Sequence, residues 1–199
     1  LATSGTLTRW FIDNFARELD PHEAMGVLVR EAAASPPGAR GLVVLPYFSG
    51  ERTPLHDPHA KGMIFGLDLT HGRGDVYRAL IEGIAYGVRH ILETYDDAGA
   101  NPESVTAVGG GTHNPVWLQA VSDITGRAQA VRHNSFGASY GNAFLAAVGV
   151  GDADAGDIDT WNPVAREIQP DASLSSLYDA GSGTYRQLYA RTRELMRAG

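Results

Sequence analysis

The segment Gly109-Gly110-Gly111-Thr112-His113-Asn114-Pro115 follows an apolar Val108 and precedes a helical run. Consecutive glycines let a ligand lie against the backbone with no Cβ in the way. A helix starting just beyond adds unpaired N–H groups and the positive end of its dipole, a ready receptacle for phosphate. The same residues also suit a tight strand-to-helix turn, with Asn114 as N-cap and Pro115 at the first helical position. Both readings stand on the motif alone. It is not a Walker loop, because no Gly-Lys-Ser/Thr follows. It is not a full dinucleotide fingerprint either, because Asn114 stands where the third glycine belongs.

Gly137-Ala138-Ser139-Tyr140-Gly141 matches the nucleophile elbow of α/β-hydrolases. That chemistry needs a strand directly before the serine and a histidine after it, and the last histidine is His133. A helix with Gly137 and Gly141 on one face, packed on backbone or a flat ligand, is the better reading. His56-Asp57-Pro58-His59 offers two imidazoles but no third ligand at a recognised metal spacing. The acidic run Asp152–Asp157 has its glycine one place early for a calcium loop, and Pro163 falls where a bidentate glutamate is required. Ser49-Gly50-Glu51-Arg52-Thr53-Pro54 places both charge signs in a turn after an apolar run. An Arg–Glu clasp that stiffens the turn is preferred there over a functional loop.

The elements that must position these residues follow from periodicity. Leu7, Trp10, Phe11, Phe15 and Leu19 predict a helix over 6–19. Asp20-Pro21-His22-Glu23 reads as the start of a second helix, ended near residue 34 by Ser35-Pro36-Pro37-Gly38. The continuous apolar run 41–45 reads as a buried strand, and 46–74 as an ordered excursion without regular elements. A strong helical pattern covers 75–97, with Ala79, Gly83 and Gly87 as a small-residue stripe for close backbone approach. A strand over 104–108, a helix to about residue 125 stopped by Gly126, a strand over 128–131 and a helix over 137–148 complete the middle. Residues 151–170 read as a solvated acidic loop and 184–198 as a terminal helix. Strand–helix alternation points to an α/β fold.

With 199 residues and 43% hydrophobic content, the chain can bury a sizeable core. Its formal net charge of −7 argues against nucleic acid or an anionic membrane surface as partner. Without cysteine there is no disulfide, thiolate metal site or cysteine nucleophile, and a cytoplasmic location fits. No apolar stretch approaches a membrane span, and no secretory pattern opens the chain. The first residue is Leu1 rather than methionine, which suggests a processed product, an excised piece or the ordered part of something longer.

Taken in order, the motifs resemble the C-terminal half of the FGGY carbohydrate kinases, nearest the xylulokinase-like members. The match runs from Thr3-Ser4-Gly5 to Trp10-Phe11 and through Leu45-Pro46-Tyr47-Phe48-Ser49-Gly50-Glu51-Arg52-Thr53-Pro54. It continues with Asp57-Pro58, Lys61-Gly62, Phe65-Gly66-Leu67, Arg78-Ala79, Glu82-Gly83, Gly109-Gly110-Gly111, Asn114-Pro115, Trp117, Gln119 and Asp123. It closes with Gly137-Ala138 and Gly141 through Ala143. It covers about residues 2–150 and weakens beyond.

The resemblance implies an actin-like ATPase fold of ribonuclease-H-like domains, of which 1–199 would be the C-terminal nucleotide-binding domain. It implies ATP and Mg²⁺ as cofactors, a sugar (ketose or polyol) as substrate, and an N-terminal kinase domain as partner. Gly110, Gly111 and Asn114 would line the adenosine site, Gly5 would approach the phosphates with Arg9 nearby, and the helix bearing Ser139 and Gly141 would close the adenine pocket. The family's catalytic aspartate would precede this chain, so no catalytic residue is assigned and the isolated chain is expected to be inactive. A homo-oligomer is expected if apolar surface that normally meets the N-terminal domain is left bare. The alternative is a non-catalytic nucleotide-binding or assembly module of the same fold.

Overall fold

The computed structural model describes residues 3–102 and 104–198; residues 1, 2 and 199, at the ends of the expected domain, lie outside the described residues, as does residue 103. The chain opens with α1 (Ser4–Phe15), which buries Leu7, Thr8, Phe11 and Ile12 on one face. It stops four residues short of the expected end. The Leu19 N–H bonds the Ala16 carbonyl at 3.1 Å, so Leu19 still reaches the core, through a turn rather than another turn of α-helix. Asp20 opens the approach to α2 (Ala24–Ala34): its Oδ1 accepts from the His22 N–H at 2.8 Å and its carbonyl from the Ala24 N–H at 2.8 Å. Ser35 ends α2 in extended conformation, as the following proline requires.

The buried run becomes β1 (Val43–Leu45), all three residues inaccessible. Its partner is β2 (Met63–Phe65), antiparallel, with Val43 opposite Phe65 and Leu45 opposite Met63. This corrects the reading of 46–74 as irregular throughout. A three-residue strand whose side chains are only half covered has too few positions to show a period of two. Between β1 and β2, the Glu51 and Asp57 backbones bond each other in both directions.

The central helix α3 (Arg73–Asp97) buries Tyr77, Leu80, Ile81 and Ile84, while Tyr95 is exposed, so the apolar stripe enters the core only through its first half. The small-residue stripe does what its spacing predicts: at Gly83, α3 presses on the carbonyl oxygen of Val44 in β1, where a side chain would collide. The buried Glu82 Oε1 accepts from Arg78 (2.8 Å), the Gly38 N–H (3.0 Å) and the Tyr178 hydroxyl (3.1 Å), which ties several segments to α3, while burial raises the carboxyl pKa.

A second sheet of order β3-β4-β5 follows. β3 (Val105–Ala107) runs parallel to β4 (Gln129–Arg132) by way of α4 (Pro115–Thr125), which Gly126 terminates with φ 67°. After β4 come α5 (Ala138–Val150), the short α6 (Ile158–Trp161) and β5 (Val164–Ile168), which pairs antiparallel to β4. The expected acidic loop over 151–170 is therefore a loop only in part. The side chains of β5 are nearly all exposed, so only its register on β4 makes it a strand. The last helix, α7 (Ser175–Ala198), begins nine residues before the expected 184–198. Gly181 and Gly183 have weak helix propensity, yet at Gly181 the helix packs on the Tyr86 hydroxyl, and burial of Tyr178 and Tyr185 compensates.

Candidate functional site

Val105–Ala107 delivers the chain to the glycine turn, and local bonds hold that turn closed. Gly109 takes φ 83°, a conformation natural to glycine, and its N–H bonds the Ser135 carbonyl at 2.8 Å. Residues Gly110–His113 form a single 3₁₀ turn. The Thr112 hydroxyl donates to the Gly109 carbonyl at 2.7 Å, and Arg166 on β5 donates to the Thr112 carbonyl at 3.2 Å. Then α4 starts as its sequence predicts: Pro115 occupies the first turn, and Asn114 Oδ1 accepts from the Trp117 N–H at 3.1 Å.

That cap fixes which end of the Asn114 amide is committed. Oδ1 must be the acceptor, so Nδ2 is the atom left over, and it lies buried with no hydrogen-bond partner among the described residues. An unmet donor in a 6% exposed residue costs free energy on the order of 1–3 kcal/mol unless something satisfies it.

Two cavities meet here, of about 350 Å³ and about 300 Å³, and both are lined by Gly5, Gly110, Gly111 and Trp117. The first continues along Ala107, Val108 and the α4 side chains Leu118 and Val121. The second is more apolar, adding Met25, Val29 and Tyr77 beside Asn114. Gly5 reaches the site in the first turn of α1, whose leading N–H groups have no intrahelical acceptor. A Cβ built on Gly5 or Gly110 would meet nothing within 4 Å, and one on Gly111 would touch the Trp117 ring at 3.5 Å. Neither packing nor a left-handed φ requires glycine at positions 5 and 110.

The structure thus brings Gly5, Gly110, Gly111 and Asn114 together and leaves the other expected residues apart. Arg9, one turn along α1, is ion-paired to Asp13 at 3.1 Å, is largely exposed, and lines a separate depression with Arg17 and Leu19. Ser139 and Gly141 line neither cavity; the Ser139 hydroxyl donates to the Phe136 carbonyl at 3.3 Å. No strand directly precedes Ser139, since β4 ends at Arg132, so the elbow geometry of a hydrolase is missing. Their helix is still tethered to the glycine turn through the Gly109–Ser135 bond. Sequence reasoning missed Met25, Val29 and Tyr77 as wall residues. Nothing local marks them, because each sits on a helix face that reads as ordinary core. Burial raises the Tyr77 hydroxyl pKa to about 12, so it stays neutral and can bond as a hydroxyl.

Residues 1–150 match the model of the FGGY family of carbohydrate kinases, C-terminal domain. A xylulose kinase of Bacillus subtilis is 32% identical over 186 residues, covering 92% of this chain but 37% of that relative. One of Escherichia coli is 31% identical over 185 residues, covering 92% of this chain and 38% of the relative. Among solved structures, the xylulose kinase of Rhodospirillum rubrum superposes with a TM-score of 0.86 at 34% identity, over 97% of this chain and 39% of that one. The chain belongs to the FGGY family of carbohydrate kinases, as its C-terminal domain, with the fold of the C-terminal half of an actin-like ATPase. It spans under two-fifths of the length of the relatives it matches.

Proposed function

We propose that this member of the FGGY family supplies the adenosine side of an ATP-dependent sugar kinase whose whole form phosphorylates a ketose or polyol. The observation that carries the reading is the convergence of Gly5, Gly110 and Gly111, from separate segments, on one opening beside the unsatisfied Nδ2 of Asn114. The residues fit a nucleotide: backbone without Cβ on two sides, an apolar wall, and one donor in need of an acceptor. ATP, when bound, supplies the transferable phosphoryl group, and Mg²⁺ neutralises its phosphate charge. This chain's own part is positional. The wall formed by Trp117, Tyr77, Met25 and Val29 excludes water from the base, and Asn114 orients it through a hydrogen bond. Gly5 and the glycine turn let the sugar-phosphate portion approach the backbone N–H groups.

The catalytic base and most sugar contacts of such an enzyme would lie outside this chain, which would transfer no phosphoryl group by itself. Apolar surface at Phe136, Leu145 and Val150 is exposed and would favour self-association of the isolated chain. Arg9, Ser139 and Gly141 would meet the nucleotide only after a movement of α5 or of the Arg9 side chain.

The test is calorimetric titration of Mg-ADP into the purified chain and into Gly110→Val. Saturable binding that vanishes in the variant, with its melting temperature unchanged, is the expected result. No binding to the folded chain, or equal binding to both proteins, would overturn the reading. Sugar-dependent release of ADP from ATP by the chain alone would overturn the positional role.

A further inference from the structure

A nucleoside diphosphate brings several negative charges to its site, and the chain itself carries a formal net charge of −7. Such a ligand is held best where a cation stands beside its phosphates. Arg9 is the residue expected there, yet it is paired with Asp13 at 3.1 Å in a depression apart from the glycine cavities. Among the described residues, no lysine, arginine, aspartate or glutamate borders either cavity.

His113 does border one of them, and it can take up a positive charge. It closes the turn Gly110–His113 and stands at the cavity of about 300 Å³ beside Gly5, Gly110 and Gly111. The residue is exposed, and its ring makes no hydrogen bond or ion pair among the described residues. The elements around it leave that charge unopposed. At the cavity α1 contributes Gly5 and Thr8 and α2 contributes Met25 and Val29, none of which titrates, while Tyr77 on α3 stays neutral. From β5, Arg166 donates to the Thr112 carbonyl at 3.2 Å and adds positive potential at the same turn.

We propose that His113, in its protonated form, pairs with the phosphates of the nucleotide, so that binding tightens as pH falls. The inference rests on reading the glycine cavity as a nucleotide site and adds a pH response to it. Histidine is the side chain whose ordinary titration falls between about pH 5 and 8. As an imidazolium it donates from both ring nitrogens to phosphate oxygens; as a neutral ring it offsets no charge. A bound polyanion favours the charged form of a neighbouring imidazole, so protons are taken up on binding near neutral pH.

The test is calorimetric titration of Mg-ADP at about pH 6 and about pH 8 into the unaltered chain, His113→Gln and Gly110→Val. Glutamine keeps a hydrogen-bonding side chain that cannot be charged. The ratio of the two affinities at each pH cancels the titration of ADP itself. The unaltered chain is expected to bind about three- to fivefold more tightly than His113→Gln at the lower pH, the worth of one exposed charge pair, and equally at the higher. His113→Gln is expected to melt within about 2 °C of the parent, because the replaced side chain is exposed. A ratio of one at both pH values, with binding abolished in Gly110→Val, overturns the role of His113 and leaves the nucleotide site standing. An equal loss at both pH values overturns the charge pairing, since an uncharged contact would then account for it. Unchanged binding in Gly110→Val, or no binding to the unaltered chain, overturns the site and this inference with it.

Discussion

A side chain placed on Gly83 would run into the carbonyl oxygen of Val44, whereas one placed on Gly110 would meet no protein atom within 4 Å. Both glycines lie in segments shared with the family, yet different neighbours require them. At Gly83 the requirement is internal, because α3 and β1 approach closely and the core is built on that approach. Gly74 is alike, a Cβ there standing 2.6 Å from the Glu31 carbonyl oxygen. At Gly5 and Gly110 the protein itself would accept alanine or larger. What sets these two apart from other uncrowded glycines, such as Gly141, is that they face each other across a cavity that also holds an unmet donor. Close packing inside the fold and bordering a cavity thus leave different marks on the same residue type.

Substitutions can break that contrast, beginning with the largest effect. Gly83→Ala forces a methyl group against backbone that cannot rotate away, and should destabilise the chain by about 3 kcal/mol. That is a drop in Tm of about 6–12 °C for a chain this size, readable in a thermal melt. An unchanged melt would mean the α3–β1 contact is looser than it looks.

Asn114 carries both kinds of requirement, and paired variants separate them. Asn114→Ala removes cap and donor together and should cost about 1 kcal/mol of stability as well as nucleotide binding. Asn114→Asp keeps a capping oxygen for the Trp117 N–H and should melt near the parent, yet still lose Mg-ADP affinity because the donor is gone. Equal affinity in Asn114→Asp would confine the residue to its capping role.

The excursion between β1 and β2 offers an intermediate case, fixed by packing but through charge. The Tyr189 hydroxyl at 2.8 Å, the His59 N–H at 3.0 Å and Arg197 at 3.1 Å all bond the Asp57 carboxylate and hold its pKa below the usual aspartate value. A lowered folded-state pKa gives stability that is present above the unfolded value and fades as pH falls through the folded one. Asp57→Asn should therefore melt below the parent at neutral pH, and the gap should close on acidification below about pH 4. A gap constant across that range would show that the charge of Asp57 contributes nothing. Smallest of all is the effect of Gly110→Val on stability: within about 2 °C of the parent, since its side chain enters open space.

What could be read in advance follows the range of the physics involved. Helix α3 was legible almost to its ends, because a long amphipathic pattern and a small-residue stripe repeat over many turns. The Asn114 cap and the Gly126 stop were legible because each is a contact between near neighbours. β2 and β5 were not, since one is three residues long and the other exposes nearly every side chain; both are strands only through partners elsewhere in the chain. The first half of α7 was hidden by Gly181, whose helical place depends on Tyr86 about a hundred positions away.

The candidate site divides in the same way. By itself the sequence determined the α/β class, the glycine turn with its cap, and, through the order of its motifs, the family. Propensities, caps and periodicities are written in adjacent residues, and a family pattern is read along one line. Only the tertiary structure decided that Gly5 joins the turn, that Arg9 and Ser139 face elsewhere, and that Tyr77 and Met25 form the wall. A cavity is the space left between elements that pack from distant parts of the chain, and no local rule states which side chains will border it.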